Sequence, residues 1–217
     1  MSTLVVYVHG LWLNGWESAL LRKRLSRELE CAALSFPYPS VSADLATNAR
    51  ALAEFLTRSR AETVHLVGHS MGGLVILELF ARMQAGRLAN GFLLPPGRVV
   101  LLGSPVRGSR VARRLAQLPL GRRMLGRTAR EVLLPWHEPS WRAARDLGVI
   151  AGSLPLGFGR LVGPYDEPND GTVMVSETRL PGARQHLTLR TSHSALVYSA
   201  AVARQTAAFL RNGRFEP

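Results

Sequence analysis

The 217-residue chain carries 27 basic against 15 acidic residues, a formal net charge of +12, and a single cysteine, Cys31. One cysteine excludes an intrachain disulfide and argues against a thiolate metal cluster, and no run reaches the roughly 18 apolar residues of a membrane span. The length suits one domain over 1–217, and the apolar start lacks a basic n-region, so it reads as a core strand rather than a signal peptide and a cytoplasmic location is expected.

Strand and helix patterns alternate, which predicts an α/β fold with a mostly parallel sheet and helices on both faces. Residues 4–8 read as the first strand. Residues 16–29 read as a helix through Leu20, Leu21, Leu25 and Leu29, and 32–36 as a second strand. An amphipathic helix over 44–58 uses Leu45, Ala49, Leu52, Phe55 and Leu56. A buried strand over 64–67 leads into a helix carrying Leu74, Val75, Leu77, Leu79 and Phe80, and 99–102 form the next strand. Residues 111–134 are interrupted by Pro119-Leu120-Gly121 and read as two short helices, either covering the sheet or lying over the site as a small lid. A short strand at 149–151 precedes a Gly/Pro-rich stretch over 152–171, of a length that is usually functional. A last strand at 186–190 and a helix at 194–210 close the chain.

Gly68-His69-Ser70-Met71-Gly72-Gly73 lies between the strand at 64–67 and the helix after it. Gly-x-Ser-x-Gly in that setting is a nucleophile elbow, a strained turn that exposes the serine hydroxyl above a helix N-terminus. Serine needs a base, and the base needs a third group to fix its tautomer. His193, just past the last strand, fits the base. His65, His137 and His186 do not: His65 sits far from the mouth, His186 at the wrong strand end, and His137 in a segment without a clear element. Asp170, in Pro168-Asn169-Asp170-Gly171, fits the acid, with Asp166 and Glu167 in reserve and Asp146 at the wrong end. The Leu11 and Met71 amides are the expected oxyanion donors. Gly10, Trp12 and His69 are expected to border the substrate, with Leu13, Met71 and residues 156–158 as an apolar wall.

Val8-His9-Gly10-Leu11, the elbow, Leu102-Gly103-Ser104-Pro105, Asn169-Asp170-Gly171 and Ser192-His193 appear in that order along the chain. In this the chain resembles small α/β-hydrolases of the lipase/esterase group, in particular bacterial triacylglycerol-lipase-like proteins related to the GPI inositol-deacylases. The resemblance implies a Ser70–Asp170–His193 triad, no cofactor or metal, and hydrolysis of acyl or lipid esters with a minimal cap or none. An acyl thioesterase or acyltransferase working on a carrier-bound acyl group, and a non-catalytic binding protein on the same scaffold, are the competing expectations.

The charge is nearly all arginine, and no acidic residue falls between Glu78 and Glu131. Codon bias at permissive surface positions accounts for such a composition. The alternative is a partner surface over 79–130 for an acidic carrier protein or anionic lipid, whereas no zinc-finger spacing or aromatic-basic pattern supports nucleic acid.

Overall fold

In the computed structural model, which describes residues 2–88, 92–136, 138–157, 159 and 163–217, the apolar runs become six parallel strands. They are β1 (Thr3–Val8), β2 (Ala32–Phe36), β3 (Thr63–His69), β4 (Val99–Leu102), β5 (Leu147–Gly152) and β6 (Gln185–Leu189), in the order β2-β1-β3-β4-β5-β6. The period-2 alternation of a strand divides its residues between two cores. Leu4, Val6, Val8, Leu66 and Leu101 face one side, under helices α2 (Leu45–Thr57) and α3 (Met71–Gln84). Val5, Tyr7, Val67, Val100 and Ile150 face the other, under α1 (Ala19–Leu29) and α6 (Ala200–Asn212). Edge strands β2 and β6 keep exposed positions, while β4 and β5 are buried throughout, as expected of a sheet covered on both faces.

From β1 the chain moves outward to β2, then returns to place β3 on the other flank of β1. Strand order therefore reverses between β1 and β3. In open α/β sheets the crevice outside the carboxyl ends of the strands at such a point is where ligands bind.

The segment 111–134 divides as its proline predicts, into α4 (Arg110–Leu115) and α5 (Gly121–Leu133). Leu120 turns between them in the left-handed region (φ 62°), at a cost of about 1–2 kcal/mol for a residue with a Cβ. Gly126 breaks α5 internally (φ 73°) and passes close to the Val41 carbonyl. Leu125, Ala129, Val132 and Leu133 pack into the core, with α5 against α2.

Two expected helices are each shortened by a local turn. The first begins as a 3₁₀ turn (Trp16–Ser18), because left-handed Gly15 (φ 92°) and the Ser18 hydroxyl, bonded to the Gly15 carbonyl at 2.6 Å, tighten its entry. The last splits into a 3₁₀ turn (Ser194–Val197) and α6, which Ser199 caps by accepting from the Val202 amide. Among the described residues no helix is long and apolar enough to cross a membrane.

Candidate active site

The elbow is built as its sequence requires. Ser70, between β3 and α3, has φ 54° and ψ −125°, a conformation costing about 1–3 kcal/mol that persists only where the surroundings impose it. They do so here. The Ser70 amide donates to the Leu102 carbonyl at 2.8 Å, and side chains at the two motif glycines would collide with the backbone: at Gly68 with Gly73, at Gly72 with the Val8 carbonyl. Met71 opens α3, so its amide is among those left without a partner inside the helix.

Asp170 follows β5 and is 1% exposed. Its Oδ1 accepts the Thr172 amide at 2.9 Å and the Val173 amide at 2.7 Å, an Asx turn that fixes the carboxylate. Its Oδ2 lies 2.7 Å from Nδ1 of His193. The backbone reinforces the pair, since the His193 amide donates to the Asp170 carbonyl at 2.8 Å. Gly103, at the end of β4, gives them room: a Cβ there would lie 3.1 Å from the Asp170 carboxylate and 3.2 Å from His193 Nδ1. Ser70 and His193 border one cavity of about 340 Å³ at the carboxyl edge of the sheet, together with Gly10, Leu11, Trp12 and His69.

A profile of the alpha/beta hydrolase family matches residues 5–211. The chain belongs to the alpha/beta hydrolase family. Among solved structures it is similar to the lipase BlEst2 of Bacillus licheniformis in its mature form (TM-score 0.71, 19% identity, over 97% of this chain and 91% of that one). It covers 51% of the same lipase in its propeptide form. It is also similar to the type II thioesterase BorB from the borrelidin biosynthetic cluster (TM-score 0.63, 18% identity, 97% and 92%). A third is the metagenomic carboxyl esterase MGS0156 (TM-score 0.57, 21% identity, 88% and 64%). No curated protein matches in sequence.

Within this hydrolase fold the Leu11 loop is held by two residues that sequence reasoning passed over. His9 Nδ1 lies 2.9 Å from the Gly10 carbonyl, and its Nε2 accepts the Tyr38 amide at 3.3 Å. Tyr38 stacks on the ring at 4.2 Å and donates its hydroxyl to the His9 carbonyl at 2.7 Å. The Gly10 carbonyl thus faces His9. In a trans peptide the Leu11 N–H points the opposite way, and it has no protein acceptor among the described residues. Gly10 itself lies against Ser70, where a Cβ would come 3.1 Å from the serine Cβ. A His-Gly pair ending a first strand was the available signal, but the tyrosine partner of His9 is 29 positions further on.

Other expected residues fall differently. His69 borders the cavity but is 3% exposed, and its Nε2 donates to the His193 carbonyl at 3.1 Å, so it also braces the histidine loop. Trp12 is half exposed, with its indole donating to the Met124 carbonyl at 2.9 Å, and therefore ties this loop to α5. The Met71 side chain is fully buried in the core and forms no part of the wall. Leu156 does not line the cavity either, and Phe158 and His137 lie outside the described residues. Leu11, Trp12 and Leu13 do line the cavity, and α4 and α5 add Val111, Ala112, Leu115, Leu125 and Leu133 to its apolar wall. Glu177 is fully buried. It accepts the Arg110 amide at 2.6 Å and the Met174 amide at 3.0 Å, tying the Asp170 loop to the start of α4.

The rejected candidates are used elsewhere. His65 accepts the Arg98 amide at 2.9 Å, His186 bonds Thr178, and Asp146 pairs with Arg98 and Arg184. A larger cavity, about 1180 Å³, lies at the opposite sheet edge. Its Arg98 and Arg145 are bound to backbone carbonyls, and no serine or cysteine lines it among the described residues.

Burial lowers the pKa of His9, of His65 to about 4 and of His69 to about 3, where His193 adds to the effect. The unfolded chain takes up these protons near pH 6.5 and the folded chain does not. Acidification from pH 6.5 toward 4 therefore destabilises the fold, by up to about 1.4 kcal/mol per pH unit for each of His65 and His69, with His9 acting in the same direction. Glu177 opposes this with one proton: burial pushes its carboxyl up to about 7, so the folded form holds that proton between 4.5 and 7. His65 and His69 together outweigh it, and the thermal midpoint is expected to fall steadily from pH 6.5 to 4.5. A midpoint flat across that window would contradict the neutral, buried state of these rings.

Proposed function

We propose that this hydrolase cleaves carboxylic acyl esters, with Ser70 as nucleophile, His193 as general base and acid, and Asp170 as the group that orients His193. The observation that carries the reading is the buried 2.7 Å contact between Asp170 Oδ2 and His193 Nδ1, with a strained serine that shares a cavity with His193. With Nδ1–H bonded to Asp170, the free Nε2 of His193 takes the Ser70 proton as Oγ attacks the carbonyl carbon. The oxyanion is stabilised by the Leu11 and Met71 amides, each donor contributing about 3 kcal/mol in the transition state. The imidazolium then protonates the departing alcohol. Water repeats the sequence on the acyl-enzyme and frees Ser70. The apolar wall of α4 and α5 suits the acyl chain, and Glu17 is the one carboxylate on the cavity lining among the described residues.

Turnover of p-nitrophenyl esters and acyl thioesters of rising chain length tests the assignment. Ester turnover that depends on Ser70 is expected, with an optimum of medium chain length set by the cavity of about 340 Å³. Thioester-only turnover would move the assignment to an acyl thioesterase. No turnover of either by folded protein would favour a non-catalytic scaffold.

A further inference from the structure

The α4–α5 turn projects beside the cavity mouth and presents an unusual surface. Leu118, Leu120 and Met124 are 49%, 71% and 49% exposed, and Leu120 is held outward in the left-handed conformation. Trp12 joins this turn to the mouth through its bond to the Met124 carbonyl, and the exposed Leu13 and Tyr198 continue the apolar rim along the cavity edge. Exposed apolar groups that adjoin one another mark an interaction surface.

The charges on the turn itself, residues 116–124, have one sign. Arg122 and Arg123 are exposed and form no ion pair among the described residues. They stand in the first turn of α5, where the helix dipole disfavours cations, so helix stability does not explain them. Arg127 reaches Asp44 at 3.5 Å, and Arg130 bonds back to the Gly126 carbonyl. The nearby carboxylates are occupied: Asp44 caps α2, Glu131 accepts the Leu45 amide, and Glu17 accepts the Gly15 amide and the Tyr7 hydroxyl. The arginines on and just before α4 are engaged. Arg110 pairs with Glu167, Arg107 bonds the Arg179 carbonyl, Arg114 bonds the Pro164 carbonyl, and Arg113 lies over Trp136. Within 79–130 the exposed arginines whose side chains have no partner among the described residues are thus Arg87, just past the carboxyl end of α3, and the pair on this turn.

We propose that this turn docks the enzyme on an anionic lipid surface, with Leu118, Leu120 and Met124 entering the interface and Arg122 and Arg123 at the headgroups, so that the cavity mouth faces the bilayer. An apolar tip with flanking cations fits a lipid boundary, where apolar burial and headgroup attraction act together. The inference rests on the ester-hydrolase reading for its purpose, though not for the binding itself.

Co-sedimentation of the full chain with phosphatidylglycerol/phosphatidylcholine vesicles, against phosphatidylcholine alone, tests it. Binding is expected on the anionic vesicles, weakening as salt is raised. The Arg122→Glu/Arg123→Glu variant is expected to bind about thirtyfold or more weakly, and Leu120→Asp also more weakly. Both variants should hydrolyse a soluble p-nitrophenyl ester as wild type does. Equal binding to both vesicle types, no binding to either, or wild-type binding by the charge-reversed variant would overturn the proposal. So would retention of an acidic acyl carrier protein without vesicle binding. Loss of soluble-ester turnover from wild type, with anionic vesicle binding intact, would sink the hydrolase reading and leave the docking surface standing.

Discussion

Ser70→Ala is expected to lower kcat by roughly six orders of magnitude, leaving only what the oxyanion donors and substrate binding supply. The substitution isolates the hydroxyl. Alanine keeps a Cβ and so bears the same backbone strain at φ 54°, and the amide bond to the Leu102 carbonyl is untouched. The urea midpoint should therefore stay close to that of wild type while turnover disappears. Turnover within tenfold of wild type on every ester would remove Ser70 from the chemistry.

Asp170→Asn is expected to lower kcat by about 10⁴ through the tautomer of His193. The reason lies in the Asx turn. Oδ1 is committed to two backbone amides, Thr172 and Val173, so an asparagine would keep its oxygen there and present its NH₂ to His193. The imidazole would then accept at Nδ1 and carry its proton on Nε2, the nitrogen needed to receive the serine proton. Glu167→Gln is the control, because that carboxylate is already paired with Arg110 at 2.5 Å, and turnover within a few-fold of wild type is expected. The reverse pattern, an active Asp170→Asn enzyme and an inactive Glu167→Gln one, would transfer the acid to the neighbouring position.

What the sequence made legible was the part of the fold written in local patterns. The six strands, the elbow and the two-helix division at Pro119 each carry their own signal in periodicity or in glycine and proline. The approach of Asp170 to His193 was legible only through chain order, since both follow late strands whose carboxyl ends meet at one sheet edge. What remained hidden depends on contacts between distant segments. Nothing local to Tyr38 says that it will clamp His9, and Glu177 in Val-Ser-Glu-Thr reads as a solvated glutamate although it is fully buried on two amides. Trp12 was expected to meet substrate because it follows the proposed oxyanion donor Leu11, whereas its indole also fastens that loop to α5, 112 positions away. The 3₁₀ turns at Trp16–Ser18 and Ser194–Val197 were missed because nothing in the spacing of apolar residues sets a single 3₁₀ turn apart from the α-helix that follows it.

The most direct test of the central assignment is covalent. Wild-type protein incubated with an alkyl fluorophosphonate and weighed intact should gain one adduct per chain, mapped by peptide sequencing to Ser70. The adduct should be absent from Ser70→Ala and should form orders of magnitude more slowly in His193→Ala. No adduct on folded wild-type protein, an adduct on another serine, or labelling of His193→Ala at the wild-type rate would contradict activation of Ser70 by the His193–Asp170 pair.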